Sequence, residues 1–115
     1  MKLLITGGAG FIGANFAHYT VKNRPEYDIT IVDKLTYAGN QASLNSIADK
    51  VRFVQGDICD QELMDKLVGE TDIIVHFAAE SHNDNSLRNP WPFVQTNLVG
   101  TATILEAVRK HNKRL

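Results

Sequence analysis

The sequence predicts a doubly wound α/β fold, a parallel sheet of four strands in the order 3-2-1-4 with helices on both faces. Three observations predict it. Short apolar runs alternate with stretches of helical periodicity from one end of the chain to the other. The first run leads directly into a glycine-rich turn that opens a helix. Asp33 ends the second run 20 residues after Gly13, the last of those glycines.

Leu3–Ile5 reads as the first strand, short and wholly apolar, which suits burial on both faces. Gly7-Gly8-Ala9-Gly10-Phe11-Ile12-Gly13 follows. Gly8, Gly10 and Gly13 fit G-x-G-x-x-G, while Gly7, Gly10 and Gly13 fit the wider G-x-x-G-x-x-G. A helix is expected from about Phe11 to Lys22, with Phe11, Ile12, Phe16, Tyr19 and Thr20 recurring at helical spacing and Asn23-Arg24-Pro25 ending it. Asp28–Val32 is the second strand. Lys34–Asn40 is a polar loop, and a short helix is expected over Gln41–Ile47. Val51–Gln55 is the third strand, closed by Gly56-Asp57.

Asp60 is suited to cap a helix over Gln61–Val68, whose apolar stripe is Leu63, Met64, Leu67 and Val68. Asp72–Phe77 is the fourth strand. Asn89-Pro90 opens a long last helix, with Pro90 in its first turn and Phe93, Asn97, Gly100, Thr101, Ile104, Leu105 and Val108 along one face. The order 3-2-1-4 follows from right-handed crossovers between parallel strands. Lys110–Leu115 stands where a fifth strand is expected, so the chain reads as the opening part of a larger protein; no domain boundary is drawn within it.

Composition narrows the function. The chain has 115 residues, one domain's worth, and 43% hydrophobic residues suffice for a core. A net charge of −1 with interspersed acids and bases leaves no electrostatic footprint for nucleic acid or an anionic membrane. No run reaches the roughly 18 apolar residues of a membrane span. Cys59 is the single cysteine, which excludes an internal disulfide and points to a reducing cytoplasm; a structural thiol is expected there. The basic tail Lys110–Arg114 reads as a solvated helix end.

The glycine motif sits where a strand ends and a helix begins. Such a helix start offers unpaired N–H groups and the positive end of the macrodipole, a seat for a pyrophosphate. Asp33, at its offset from the glycines, is placed to accept hydrogen bonds from the ribose hydroxyls of a dinucleotide. Its charge would repel a 2′-phosphate, favouring NAD over NADP. An ordinary loop aspartate is the competing reading. Asp57, at the end of the third strand, is placed either to meet the adenine edge or to cap the following turn.

Ala78 and Ala79 are small residues just past the fourth strand, where a cofactor can pass close to the backbone. Glu80, Ser81, His82 and Asp84 do not form a hydrolase triad, because triad members converge in space and no G-x-S-x-G elbow is present. His76, Glu80 and His82 lack zinc spacing, so no metal is expected. A solvated polar loop is the plainer alternative for this stretch. Thr96 and Asn97 are expected to hydrogen-bond either backbone or cofactor.

These residues also carry a likeness. Thr6–Gly13 resembles the opening of extended short-chain dehydrogenases/reductases that act on nucleotide sugars, a Rossmann-like family. Asp33-Lys34-Leu35-Thr36-Tyr37-Ala38-Gly39-Asn40 and Ala78-Ala79-Glu80-Ser81-His82 resemble its dTDP-glucose 4,6-dehydratase branch. The commoner string of that branch has Val and Arg where this chain has Asn83 and Asn85. The resemblance implies NAD as cofactor, with Gly7, Gly10 and Gly13 in the turn and the amides of Phe11 and Ile12 on the pyrophosphate. It implies Asp33, Lys34, Leu35 and Thr36 around the ribose and Asp57 with Ile58 at the adenine. Phe77, Ala78, Ala79, Glu80, Ser81 and Thr96 fall on the nicotinamide half, and Ser81 and His82 on the dTDP-glucose substrate.

The implied reaction of the larger protein, expected as a cytoplasmic homodimer, is redox-neutral. A hydride leaves C4 of the glucose, water leaves across C5–C6, and the hydride returns to C6. The family's Tyr-x-x-x-Lys and Asp-Glu pairs do not occur in this chain, so it is expected to hold the cofactor without catalysing the reaction. A stand-alone NAD-binding module and part of a nucleotide-sugar 4-epimerase are the competing readings.

Overall fold

A strand with helices on both sides sends alternate side chains to opposite layers, and this alternation organises the whole molecule. The computed structural model describes residues 1–35, 41–78 and 90–111. The strands are β1 (Lys2–Thr6), β2 (Asp28–Asp33), β3 (Val51–Gln55) and β4 (Ile73–His76). All pair in parallel in the order β3-β2-β1-β4, as expected. Thr6 lies beside Val32 on one side and His76 on the other, so the four strands end together on one rim.

One face receives Leu3, Ile5, Ile29 and Ile31, covered by α1 (Phe11–Asn23) and by a 3₁₀ helix over Gln41–Ile47 that inserts Leu44 and Ile47. Rings of Phe16 and Phe77 meet there at 5.4 Å. The opposite face receives Leu4 and Val32, covered by α2 (Gln61–Gly69) and by the last helix. Met64, Leu67 and Val68 of α2 pack against Ile104, Ala107 and Val108. Asp60 caps α2 by accepting the Leu63 amide at 3.2 Å, the role read from sequence.

Two helix faces differ from expectation. In α1 the buried residues are Gly13, Ala14, Ala17, Thr20 and Val21, whereas Phe11, Ile12 and Tyr19 are exposed. Close approach of α1 to the sheet selects small side chains: a Cβ at Gly13 would collide with the carbonyl of Gly7. The last helix begins at Trp91, as the Asn-Pro signal predicts, but is not uniform. Its stretches are α3 (Trp91–Val94), a π-helical segment (Gln95–Gly100) and α4 (Thr101–Lys110), with helical backbone at both junctions. Gly100, Thr103, Ile104, Ala107 and Val108 face the core, while Leu105, about 100° round from Ile104, is half exposed.

A chain of hydrogen bonds ties β1, β4 and the last helix together at the rim. The Ala78 amide donates to Thr6 Oγ1 at 3.2 Å, and Thr6 Oγ1 lies 2.6 Å from His76 Nδ1. His76 Nε2 lies 3.0 Å from Thr101 Oγ1, which donates to the Asn97 carbonyl at 2.8 Å. Thr101 has one hydroxyl proton and spends it on Asn97, so Nε2 must be the donor. In the neutral ring Nδ1 then accepts the Thr6 proton. Protonating His76 would turn Nδ1 into a donor and leave the Thr6 proton without this acceptor.

Met64 is fully buried, and Met64→Ala should cost about 2–5 kcal/mol in urea unfolding, the range for large-to-small core changes. The second expectation concerns pH. Burial pushes His76 below its ordinary value of 6.5, so the unfolded chain takes up the proton first as pH falls. Stability from neutral His76 is therefore fully present above 6.5 and is lost as pH drops below it towards the folded value. The urea midpoint should decline on acidification through this window, and His76→Gln should flatten that decline. An equal acid slope in the variant would rule out His76 as its source.

Candidate functional site

The rim where the strands end carries the glycine turn, Asp33, Asp57 and the residues that follow β4. The turn begins at Gly7, whose φ of 69° lies in the left-handed region open to glycine. A Cβ there would also lie 2.6 Å from the Ala78 nitrogen, so the turn runs directly against the backbone leaving β4. The Gly7 amide continues the sheet by donating to Val32 at 2.9 Å, and the Gly10 amide closes the turn on Gly7 at 3.2 Å. The first bond of α1 runs from the Ala14 amide to the Gly10 carbonyl at 2.8 Å. Phe11, Ile12 and Gly13 thus present their amides ahead of the first intrahelical bond. The Phe11 and Ile12 side chains are 85% and 66% exposed and leave the helix mouth open.

Asp33 sits beside this mouth and is nearly buried. Its Oδ2 accepts the Ala9 amide at 2.9 Å and its Oδ1 the Leu35 amide at 2.7 Å. The second bond holds Leu35 at φ 60°, a conformation that costs a non-glycine residue about 1–2 kcal/mol. A carboxylate offers about four acceptor positions, so two remain for a further donor. Lys34 reaches Asp57 at 3.3 Å; both side chains are well exposed, so this pair contributes at most about 1 kcal/mol.

Asp57 Oδ1 also accepts the Cys59 amide at 2.9 Å. Burial pushes the Asp57 carboxyl up, but the Cys59 amide and the Lys34 ammonium outweigh it and hold it below its usual range. Cys59 is pushed the other way, first by burial and then by the Asp57 charge. Its thiol donates to the Gln95 carbonyl at 3.1 Å, the structural part read from sequence.

Among the residues expected to bind a cofactor, Gly7, Gly10, Phe11, Ile12, Gly13, Asp33, Lys34, Leu35 and Asp57 are gathered on this rim by the turn and the ends of β1, β2 and β3. Ile58 is different: its side chain is buried against the last helix, where a Cβ on Gly100 would meet it, so only its backbone is left for the rim. Phe77 packs against the α1 layer and Ala78 against the α2 layer. Thr96 lies in the π-helical segment and is partly buried. Thr36, Ala79, Glu80, Ser81 and His82 lie outside the described residues, as do Asn83 and Asn85. Among the described residues no cluster of three metal-binding side chains occurs. No described helix is long and apolar enough to cross a membrane.

Sequence reasoning missed three participants. Ala9 is the contact of Asp33, and the Ser43 hydroxyl donates to the Ala9 carbonyl at 3.3 Å. His18 Nε2 lies 2.7 Å from the Ser43 carbonyl. No motif marks these bonds, since they join segments 24, 25 and 34 residues apart.

Comparison with known proteins agrees with this fold. The dTDP-glucose 4,6-dehydratase of Mycobacterium tuberculosis (strain H37Rv) is 59% identical over all of this chain. The chain spans 35% of the length of that relative. A solved dTDP-glucose 4,6-dehydratase of Streptomyces venezuelae, with NAD bound, superposes with a TM-score of 0.93 at 41% identity, covering 98% of this chain and 37% of that one. A UDP-glucose 4-epimerase of Thermotoga maritima, solved with UDP-glucose, superposes at 0.87 with 30% identity, covering 98% and 35%. The family model described as GDP-mannose 4,6 dehydratase matches residues 4–115. The chain belongs to the GDP-mannose 4,6 dehydratase family.

Proposed function

We propose that this chain forms the NAD-binding part of a dTDP-glucose 4,6-dehydratase. The observation that carries the reading is the Asp33 carboxylate, bonded to Ala9 and set beside an open helix mouth, with acceptor positions to spare. The turn fits a pyrophosphate in a second respect. The Phe11 and Ile12 side chains stand out from the helix mouth, so their amides meet no side-chain barrier. Relatives named for dTDP-glucose are 59% and 41% identical, against 30% for the 4-epimerase of Thermotoga maritima, which favours the dehydratase over the epimerase.

The chemistry that NAD supplies when bound is removal of a hydride from C4 of the sugar and its return to C6 after water has left. The residues of this chain bind and orient. Phe11 and Ile12 hold the pyrophosphate through their amides. Asp33 takes the ribose hydroxyls with Lys34, Leu35 and Thr36 around it, and Asp57 with the Ile58 backbone borders the adenine. Phe77, Ala78, Ala79, Glu80, Ser81 and Thr96 line the nicotinamide half, with Ser81 and His82 towards the sugar. The groups that move protons are not among these residues, so the 115-residue chain binds cofactor without turning over substrate. The whole enzyme acts in the cytoplasm as a homodimer.

Asp33→Ala should weaken NAD binding by about 1–3 kcal/mol, the cost of lost hydrogen bonds to a charged group, as read by titration calorimetry. The same change should narrow the preference for NAD over NADP, because the carboxylate that repels a 2′-phosphate is gone. Both ligands share the pyrophosphate, so the ratio isolates the ribose contact from any loosening of the turn. An unaltered ratio would remove Asp33 from the ribose site.

A further inference from the structure

We infer that Ser43 and His18 are positioning residues for the pyrophosphate-binding turn, acting through Ala9; the inference rests on the cofactor reading above. Ala9 lies between Gly8 and Gly10, residues whose backbone is the freest in the chain. Both of its peptide groups are held from outside. Its amide goes to Asp33 Oδ2 at 2.9 Å, and its carbonyl accepts from Ser43 Oγ at 3.3 Å. The Ser43 carbonyl is in turn the partner of His18 Nε2 at 2.7 Å, and since a carbonyl only accepts, that nitrogen donates.

His18 belongs to α1, so the helix whose mouth is to be aimed also anchors the residue that aims it. The 3₁₀ helix carrying Ser43 is held in the core by Leu44 and Ile47. The end of β2 and the 3₁₀ helix therefore meet on one residue of the turn, and α1 braces the 3₁₀ helix through His18.

The peptide joining Ala9 to Gly10 is planar, with its C=O and N–H opposed. Turning the Ala9 carbonyl to Ser43 therefore turns the Gly10 amide back to Gly7, where it closes the turn at 3.2 Å. It also commits the Ala9 oxygen, which would repel a phosphate, to a hydroxyl donor. Phe11 and Ile12 follow at once and present their amides from a turn already set. Ordering the turn in the free protein removes that entropy loss from the binding step.

Titration calorimetry with NAD, ADP and adenosine on the Ser43→Ala and Ser43→Thr variants tests this, together with amide hydrogen exchange of the ligand-free proteins. Ser43→Ala should weaken NAD and ADP by about three- to tenfold, the factor for one neutral hydrogen bond. Adenosine, which lacks the pyrophosphate, should bind unchanged, and Ser43→Thr, which keeps the hydroxyl, should behave as the parent. Exchange should quicken at the hydrogen-bonded amides of Ala9 and Gly10 and stay unchanged within β1. Undiminished NAD affinity in Ser43→Ala, equal loss for adenosine, or faster exchange spread evenly into β1 would each overturn the inference while leaving the cofactor reading standing. Failure of the unsubstituted protein to bind NAD or ADP would overturn that reading and this inference with it.

Discussion

The two hydrogen bonds accepted by the Asp33 carboxylate are the constraint on which the rim depends. One reaches forward to Leu35 and holds it in a left-handed conformation; the other reaches across to Ala9 in the glycine turn. An aspartate at the end of β2 thus welds the exit of its own strand to the exit of β1. Both bonds come from backbone amides to an ionised acceptor in a nearly buried place, where such bonds are short and strong. Glycine supplies the freedom that lets the turn pass close to its neighbours, and Asp33 removes that freedom once the turn is in place. The role proposed for it towards a ribose uses the same side chain's remaining acceptor positions.

Close packing under the turn shapes the rest of that layer. Because Gly13 lies against the Gly7 carbonyl, α1 comes down on the sheet with Ala14 and Ala17, and Phe11, Ile12 and Tyr19 are turned outward. Exposure of Phe11 and Ile12 is thus a consequence of how the helix starts. The 3₁₀ helix fills the remaining width of this layer with Leu44 and Ile47, and its Ser43 completes the hold on Ala9.

The other layer is coupled to the rim by polar contacts. Thr6, His76 and Thr101 form one proton-ordered line from the backbone leaving β4 to the π-helical segment, and neutral imidazole is the form that satisfies every donor in it. The thiol of Cys59 donates into the same segment at Gln95. These bonds seat the widened turn, with Thr96 in it, against β4 and the loop that follows β3. A continuous α-helix is what periodicity predicts here, and periodicity carries no sign of the widening.

By itself the sequence determined the parallel sheet and its order, because short apolar runs alternating with helical stretches admit few right-handed arrangements. It also determined the Asp60 cap, which depends on residues at a fixed short offset. Tertiary structure alone decided which face of α1 is buried: the close approach of helix to sheet put Ala14 and Ala17 inward and Phe11 and Ile12 outward, and hydrophobic periodicity cannot measure that distance. It alone withdrew the Ile58 side chain into the core, brought Ser43 to Ala9 and brought His18 to Ser43. Those contacts join segments far apart in the chain and rest on single hydroxyl, imidazole and carbonyl groups. Such groups leave no pattern in a sequence until folding places them side by side.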